Sequence, residues 1–148
     1  LTMENYRGIL KNYAKVVLTP NVVEYKRLLE AHNGDISEAT KKGVIIRKGE
    51  IDVIEAEGKI VAECEETGGL KRSGGLGDIL AGSVGTFIAW SQILGLDSGD
   101  RAFSCLAACT VTKRGTKMAF DKKGRAMTAP DVLEELGGAI QAIEDKLS

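Results

Sequence analysis

The sequence has few of the residues from which most metal and redox sites are built. It holds one histidine and three cysteines, with no CxxC pair among them, so a zinc centre has almost no ligands to use. The cysteines predict no disulfide framework, and a reducing compartment suits them best. Cys105 and Cys109 lie four residues apart in an apolar segment, where we expect them to share one helix face as small core residues.

Long apolar runs and an excess of one charge are also missing. No uninterrupted apolar stretch approaches the ~20 residues that a membrane-spanning helix needs, and no secretory signal pattern is visible. The formal net charge is −1 at pH 7, which argues against nucleic acid or an acidic membrane as a partner of the whole chain. We therefore expect a protein of the cytoplasm. Mitochondria stay an alternative, because the sequence lacks an initiator methionine and a targeting segment could precede it.

Apolar spacing in the first half predicts helices and strands in alternation. A helix is expected over residues 4–12, and the β-branched run in "AKVVLTP" predicts a buried strand that ends at Pro20. The segment "NVVEYKRLLEAH" has apolar residues at helical spacing, with Asn21 placed to cap the helix. A short helix or turn in "GDISEATKK", a strand in "GVIIRKG" and a hairpin turning at Glu57–Gly58 are expected next.

The second half predicts helices only. Residues 78–95 and 98–118 are expected to form largely apolar helices, and "DKKGRAM" is expected to connect them to the last one. That last helix is amphipathic, with Thr128 as its cap and Pro130 in its first turn. Strands that alternate with helices predict an α/β sheet with helices on its faces. Because so few strands make a lopsided sheet, we expect the chain to be the C-terminal half of a larger domain.

The stretch "GGLKRSGGLGD" begins as glycines with two cations and ends at the start of an apolar helix. Gly74, Gly75 and Gly77 allow positive φ and close approach of a ligand, and Lys71 and Arg72 add charge. A helix N-terminus presents unpaired N–H groups and a partial positive charge, so these are the parts of a phosphate site. The loop is not a Walker A motif, because no Gly-Lys-Ser/Thr closes it.

Asp78, at the end of this loop, suits phosphate binding alone poorly, because a carboxylate repels the ligand. One interpretation is that Asp78 caps the helix. The other is that it orients or deprotonates a hydroxyl that attacks a phosphoryl group, a role in which position matters more than base strength. The residues alone leave both interpretations open.

Three motifs in order, "TPNVVEYKRL", "RKGEIDVI" and "GGLGD" at the start of a helix, resemble the ribokinase-like superfamily. They resemble more closely the ATP-dependent NAD(P)H-hydrate dehydratases, over the stretch from about Val16 to the C-terminus. "KRSGGLGD" is similar to the eukaryotic, ATP-using branch, whereas the bacterial ADP-using enzymes usually carry "TGGTGD". The resemblance implies a ribokinase-like three-layer αβα sandwich, with residues 1–148 as the C-terminal portion of a single domain whose first half is absent.

The resemblance also assigns roles to residues. Asp78 would be catalytic and would contact the hydrated nicotinamide. The remaining substrate contacts would come from Asn21, Val22, Val23, Glu24, Tyr25, Lys26 and Arg27. ATP would be bound by Lys48, Gly49, Glu50, Ile51, Asp52, Gly68, Gly69, Leu70, Lys71, Arg72, Ser73, Gly74, Gly75, Leu76 and Gly77. Glu24 would hold Mg²⁺ through water, although the residues alone also allow a solvated first-turn glutamate there and a plain hairpin turn at Gly49.

The implied reaction is dehydration of the S-form of NADHX or NADPHX, coupled to ATP hydrolysis. The ring hydroxyl, oriented by Asp78, would attack the γ-phosphoryl group, and the ring nitrogen's electron pair would then push out phosphate. Phosphorylation turns a poor leaving group into a good one, which explains why a dehydratase should have a kinase fold. ATP and Mg²⁺ are the implied cofactors, a homo-oligomer is allowed, and no nucleic acid or membrane partner is expected.

Two other functions stay open. A kinase of the same fold, acting for example on a vitamin precursor alcohol, would use the same chemistry at Asp78 but leave its product phosphorylated. A non-catalytic half-domain that pairs with another chain would bind ATP without turnover. The intact Asp78 and glycine loop argue against this last function, and the missing first half argues for it.

Overall fold

A computed structural model describes residues 16–36, 43–96 and 100–146. The chain divides into two compact units, residues 1–64 and 65–148. The helix predicted over residues 4–12 and most of the "GDISEATKK" segment lie outside the described residues.

The first unit is built on a four-stranded sheet. In chain order its described elements are β1 (Val17–Leu18), α1 (Val22–Ala31), β2 (Val44–Arg47), β3 (Asp52–Ala56) and β4 (Lys59–Cys64). The strands lie in the order β1-β2-β3-β4, with β1 parallel to β2 and the two later pairs antiparallel. Because β1 and β2 are parallel neighbours, the turns at their carboxyl ends lie at the same edge of the sheet, which is where ligands of open α/β sheets bind.

Local sequence explains the hairpin and the core of this unit. Glu57 and Gly58 both have positive φ, as a two-residue turn between antiparallel strands requires, so the predicted hairpin is confirmed. Leu28 of α1 packs with Ile36 and with Ile45 of β2 in a buried cluster. Apolar contact therefore holds α1 against the sheet.

The second unit is helical among its described residues. It contains α2 (Leu76–Ile93), α3 (Asp100–Lys123), a 3₁₀ turn (Gly124–Ala126) and α4 (Ala129–Glu144). The central helix α3 packs against both α2 and α4, and Ala119, Met127 and Val132 form a buried cluster. The α/β class predicted for the chain is confirmed by this sheet and these helices.

The two cysteines of α3 are core residues, as their spacing predicts. Cys105 and Cys109 are fully buried, and all three cysteines of the sequence are free thiols buried in the protein. Burial raises the pKa of Cys105 to about 12, which keeps this thiol protonated and unreactive at neutral pH.

The boundary of α3 differs from the prediction. The helix continues to Lys123, so the first three residues of the segment expected to be a connector belong to it, and the 3₁₀ turn takes up the next three. Lys117 and Asp121 form an ion pair one turn apart, and the two lysines of the last turn suit the negative end of the helix dipole. The helix ends only at Gly124, whose φ of 55° is the left-handed conformation typical of a helix C-terminus.

No helix of the described ranges is both long enough and apolar enough to cross a membrane.

Candidate active site

One ion pair and one hydrogen bond from a charged donor anchor the glycine loop, residues 65–75, within its own unit. At the start of the loop, Glu66 accepts a hydrogen bond of 2.6 Å from the guanidinium of Arg114, and both side chains are partly buried. Within the loop, the ammonium of Lys71 donates to the carbonyl oxygen of Met127 at 2.6 Å. These contacts join the loop to α3 and to the residue that precedes the cap of α4, so the loop has a fixed path.

Two glycines press the loop directly against those helices. A Cβ atom on Gly69 would lie 2.8 Å from the Phe120 Cβ and 2.8 Å from the Thr116 carbonyl oxygen. A Cβ atom on Gly75 would lie 2.9 Å from the Cβ of Ala129, in the first turn of α4. Real Cβ atoms do not approach backbone or Cβ atoms this closely, so both positions require glycine. Packing against these helices therefore explains two of the glycines of the loop.

Helix α2 begins at the end of this loop without a side-chain cap. Its N-cap is Gly75, in the left-handed conformation with φ 91°, and the cap makes no side-chain hydrogen bond to the first turn. The N–H groups that open a helix have no partner within the helix. The amide of Asp78 donates to the Gly75 carbonyl oxygen at 3.1 Å. The amides of Leu76 and Gly77 are therefore open to an anion at this end of α2, which also carries the positive end of the helix dipole.

The N-termini of α1 and α4 are closed by their own side chains. Thr128 and Asp131 form a capping box at α4, and hydrogen bonds from the Thr128 backbone and hydroxyl hold the pKa of Asp131 below its usual value. A charged carboxylate therefore occupies the start of α4. Asn21 and Glu24 form a similar box at α1. Among the three helices whose N-caps the structure describes, only α2 leaves its first turn open.

Asp78 lies in the first turn of α2 and is exposed to solvent. The interpretation of Asp78 as the helix cap is wrong, because Gly75 is the cap residue and the Asp78 side chain makes no capping hydrogen bond. The predicted start of the helix at residue 78 was therefore two residues late. Capping does not explain a carboxylate at this position, which strengthens the chemical interpretation.

An open groove of about 420 Å³ runs beside Asp78 within the second unit. Side chains of α2, α3 and α4 line it, among them Trp90, Leu133 and Ile140. Phe87 and Trp90 stack edge to face there, with ring centroids 5.3 Å apart. The groove is largely apolar, and Asp78 is the charged residue that lines it.

In the first unit, Asn21 and Glu24 bond to each other's backbone. The Asn21 side-chain oxygen accepts from the amides of Val23 and Glu24, each at 2.9 Å, and the Glu24 carboxylate accepts from the Asn21 amide at 2.7 Å. Asn21 is therefore the helix cap, as its position predicts. One oxygen of Glu24 is engaged in this cap, a local structural role that the proposed metal role has to share.

The Lys48–Asp52 turn lies next to this cap. The amide of Lys48 donates to the carbonyl oxygen of Pro20 at 2.9 Å, so the structure brings two of the three predicted segments together. The amide of Gly49 donates to the carboxylate of Asp52 at 2.9 Å, and Asp52 is buried. Lys48 is half-buried, whereas Glu50 and Ile51 are exposed.

Tyr25, which the resemblance places on the substrate side, is held by residues that the sequence gave no reason to select. Its hydroxyl donates to the Glu55 carboxylate at 2.9 Å, and the Arg47 guanidinium lies 5.2 Å from its ring centroid. Desolvation, and then the hydrogen bond to Glu55, raise the pKa of Tyr25. The hydroxyl stays protonated at neutral pH and ties α1 to β3. In the sequence, the one indication of this cluster is that Arg47 and Glu55, on neighbouring strands, carry opposite charges.

A family model described as NAD(P)H-hydrate dehydratase matches residues 1–137 of this chain. The chain belongs to the NAD(P)H-hydrate dehydratase family. Its α/β elements are consistent with the ribokinase-like fold expected of such a protein.

Curated proteins named ATP-dependent (S)-NAD(P)H-hydrate dehydratase are similar to most of the chain. The protein from Bos taurus is 35% identical over 153 residues, which cover 92% of this chain and 46% of the relative. The protein from Pediculus humanus subsp. corporis is 37% identical over 147 residues, which cover 88% of this chain and 49% of the relative. The chain thus spans about half the length of these NAD(P)H-hydrate dehydratases.

Proposed function

We propose that the complete protein removes water from (S)-NADHX and (S)-NADPHX at the expense of ATP and so restores NADH and NADPH. Residues 1–148 would be the C-terminal portion of a single ribokinase-like domain. Membership of the family and the names of the relatives support this activity. The observation that carries it is the exposed Asp78 on the uncapped first turn of α2, directly after a glycine loop that is anchored in place.

The chemistry needs a phosphate-binding surface and a carboxylate side by side. The open amides of α2 would attract phosphate oxygens and stabilise the charge that develops during transfer. Asp78 would accept the hydrogen bond of the substrate's ring hydroxyl and orient its oxygen for in-line attack. A carboxylate that repels phosphate is useful here because it binds the attacking alcohol instead.

The proposed reaction has two steps that balance. The hydroxyl oxygen forms a bond to the γ-phosphorus of ATP, ADP leaves, and the hydroxyl proton passes to Asp78 or to solvent. The carbon–oxygen bond then breaks, driven by the electron pair of the ring nitrogen, and inorganic phosphate leaves with the former hydroxyl oxygen. Loss of a proton from the neighbouring ring carbon completes the dihydronicotinamide.

We assign the phosphates of ATP to the glycine loop and the first turn of α2, Gly68–Gly77. Lys71 has three N–H donors and uses one on the Met127 carbonyl, which leaves donors for a phosphate. Arg72 is exposed. Leu70, between the packed Gly69 and the tethered Lys71, is 87% exposed and would offer an apolar contact to the nucleotide.

We assign the Lys48–Asp52 turn to the nucleotide and the Asn21–Arg27 segment to the substrate. Mg²⁺ would enter as part of the substrate MgATP. Among the described residues no three acidic, histidine or cysteine side chains converge on a metal position, which agrees with an ion held mainly by phosphates and water. Glu24 keeps acceptor capacity beyond its bond to the Asn21 amide, so it fits a metal-bound water.

Incubating the complete protein with (S)-NADHX, ATP and Mg²⁺ tests the proposal. We expect dihydronicotinamide absorbance to recover only when ATP is present, with one phosphate released per molecule restored. A kinase would instead consume ATP with another alcohol and leave that product phosphorylated. Binding of ATP without turnover of (S)-NADHX would indicate a non-catalytic half-domain, and either result would refute the proposal.

Changing the two cations of the loop separates anchoring from binding. Lys71→Ala removes a hydrogen bond from a charged donor and is expected to lower the free energy of unfolding by about 1.5–3 kcal/mol, as well as the affinity for ATP. Arg72→Ala is expected to weaken ATP binding while stability stays within about 0.5 kcal/mol. Urea unfolding and ATP titration of both variants measure the difference. Equal loss of stability in the two variants would contradict the anchoring role of Lys71.

A further inference from the structure

Two hydrogen bonds from consecutive amides link the turns at the carboxyl ends of β1 and β2 to each other and to β3. Asp52, the first residue of β3, accepts from the Gly49 amide at 2.9 Å. The neighbouring amide of Lys48 donates to the Pro20 carbonyl at 2.9 Å. Residues 48–52, which the proposed function assigns to ATP, are called the nucleotide turn here. Its amides at Lys48 and Gly49 thus both donate within the protein, one to Pro20 before the α1 cap and the other to Asp52 of β3.

The burial of Asp52 shows that its carboxylate serves the protein more than a ligand. The residue is 5% exposed, and a carboxylate removed from water must be compensated by hydrogen-bond donors. The Gly49 amide is one such donor. Asp52 also pairs with Cys64 in the β3–β4 ladder, so its own backbone position is set by the hairpin.

The backbone of this turn closes tightly around Gly49. A Cβ atom on Gly49 would lie 2.8 Å from the Ile51 carbonyl oxygen. Glycine is therefore required there, and glycine loses more conformational freedom on folding than any other residue. By accepting a hydrogen bond from the Gly49 amide, the Asp52 carboxylate restricts the backbone conformations of this glycine.

From this geometry we infer that Asp52 is a positioning residue that fixes the nucleotide turn at Lys48–Gly49 and, through it, the substrate turn at Pro20–Asn21. The assignment of ligands to the two turns rests on the proposed function. The resemblance placed Asp52 among the residues that contact ATP, whereas here it acts behind the turn. Because Asp52 supports both turns, its replacement should weaken the binding of both ATP and the substrate.

Steady-state kinetics of the complete protein distinguishes this role from a direct contact. We expect Asp52→Ala to raise the KM for ATP and the KM for (S)-NADHX about tenfold or more each, with a smaller change in kcat. Asp52→Asn keeps an oxygen that can accept from Gly49 and should recover most of both KM values. A rise in the KM for ATP alone, or a loss of thermal stability with both KM values unchanged, would overturn the inference.

Ile54→Val is the matched control for stability. Ile54 lies two residues further along β3 and is fully buried. Its hydrocarbon side chain forms no hydrogen bond, so shortening it removes packing and leaves the hydrogen bonds of both turns in place. We expect this variant to lower the melting temperature while both KM values stay at the wild-type level. If Ile54→Val raised both KM values as Asp52→Ala does, general loosening of the sheet would explain the effect and the inference would fail.

Amide hydrogen exchange tests the inference independently of any activity. The Lys48 and Gly49 amides should be protected in the wild-type protein, in Ile54→Val and in Asp52→Asn, which keeps the acceptor, and should exchange much faster in Asp52→Ala. Unchanged protection of these two amides in folded Asp52→Ala would overturn the positioning role. If the wild-type protein had no dehydratase activity, the proposed function would be refuted, but faster exchange in Asp52→Ala would still support the positioning role. Failure of the proposed function and failure of this inference are therefore distinguishable.

Discussion

Asp78→Asn is expected to slow ATP-dependent repair of (S)-NADHX by at least two orders of magnitude while the fold stays intact. General base catalysis by a positioned side chain contributes about 10²–10⁴-fold, and we expect kcat to fall by a factor in this range. Stability should change little, because the side chain is exposed and makes no capping hydrogen bond. The loss of its charge from the first turn of α2 should cost about 0.3–1 kcal/mol.

Three measurements on the Asp78→Asn variant separate chemistry from folding: kcat for repair, the affinity for ATP, and the free energy of unfolding in urea. The affinity for ATP should hold or rise, because a charge that repels phosphate is removed. Glu134→Gln removes an exposed carboxylate from α4 and serves as the control with unchanged kcat. Repair at the wild-type rate by Asp78→Asn would contradict the role assigned to Asp78.

Gly75→Ala is expected to destabilise the second unit strongly, whereas Gly74→Ala is not. Gly75 has φ 91°, and its Cβ would lie 2.9 Å from the Cβ of Ala129. The left-handed conformation costs a non-glycine residue roughly 1–2 kcal/mol, and overpacking typically adds about 1–3 kcal/mol. At Gly74 nothing lies within 4 Å of an added Cβ, so alanine there should be neutral or stabilise by about 0.4–1 kcal/mol.

Urea unfolding of the two alanine variants gives this comparison directly, since the residues are neighbours in one loop. A second control is Gly137→Ala in α4, where an added Cβ also meets nothing within 4 Å. It should stabilise the helix by about 0.5–1 kcal/mol. If Gly75→Ala were as stable as Gly74→Ala, the loop would not be held against α4 as described.

Features that depend on neighbouring residues could be predicted from the sequence. Asn21 and Thr128 cap their helices as expected, because a capping residue and the first turn it serves are only three residues apart. The hairpin turn at Glu57–Gly58 was also predicted, and both residues have the positive φ that such a turn requires. The segments later assigned to ATP and substrate were found through three short motifs, which are local patterns as well.

Features that depend on distant residues could not be predicted. The bond from Lys71 to the Met127 carbonyl and the ion pair between Glu66 and Arg114 join positions far apart in the sequence. No local pattern indicates that the loop glycines face α3 and α4. The start of α2 was missed because its cap is a glycine with positive φ, and a glycine-rich segment offers several such positions equally well.

The central claim, that the substrate's hydroxyl attacks ATP, is tested most directly by following the oxygen atom of that hydroxyl. (S)-NADHX prepared with ¹⁸O in its ring hydroxyl would be converted by the complete protein with unlabelled ATP, and the released phosphate analysed by mass spectrometry. The proposed mechanism predicts one ¹⁸O atom in each phosphate, because the bond between carbon and oxygen is the one that breaks. Unlabelled phosphate, with the ¹⁸O released as water, would contradict it.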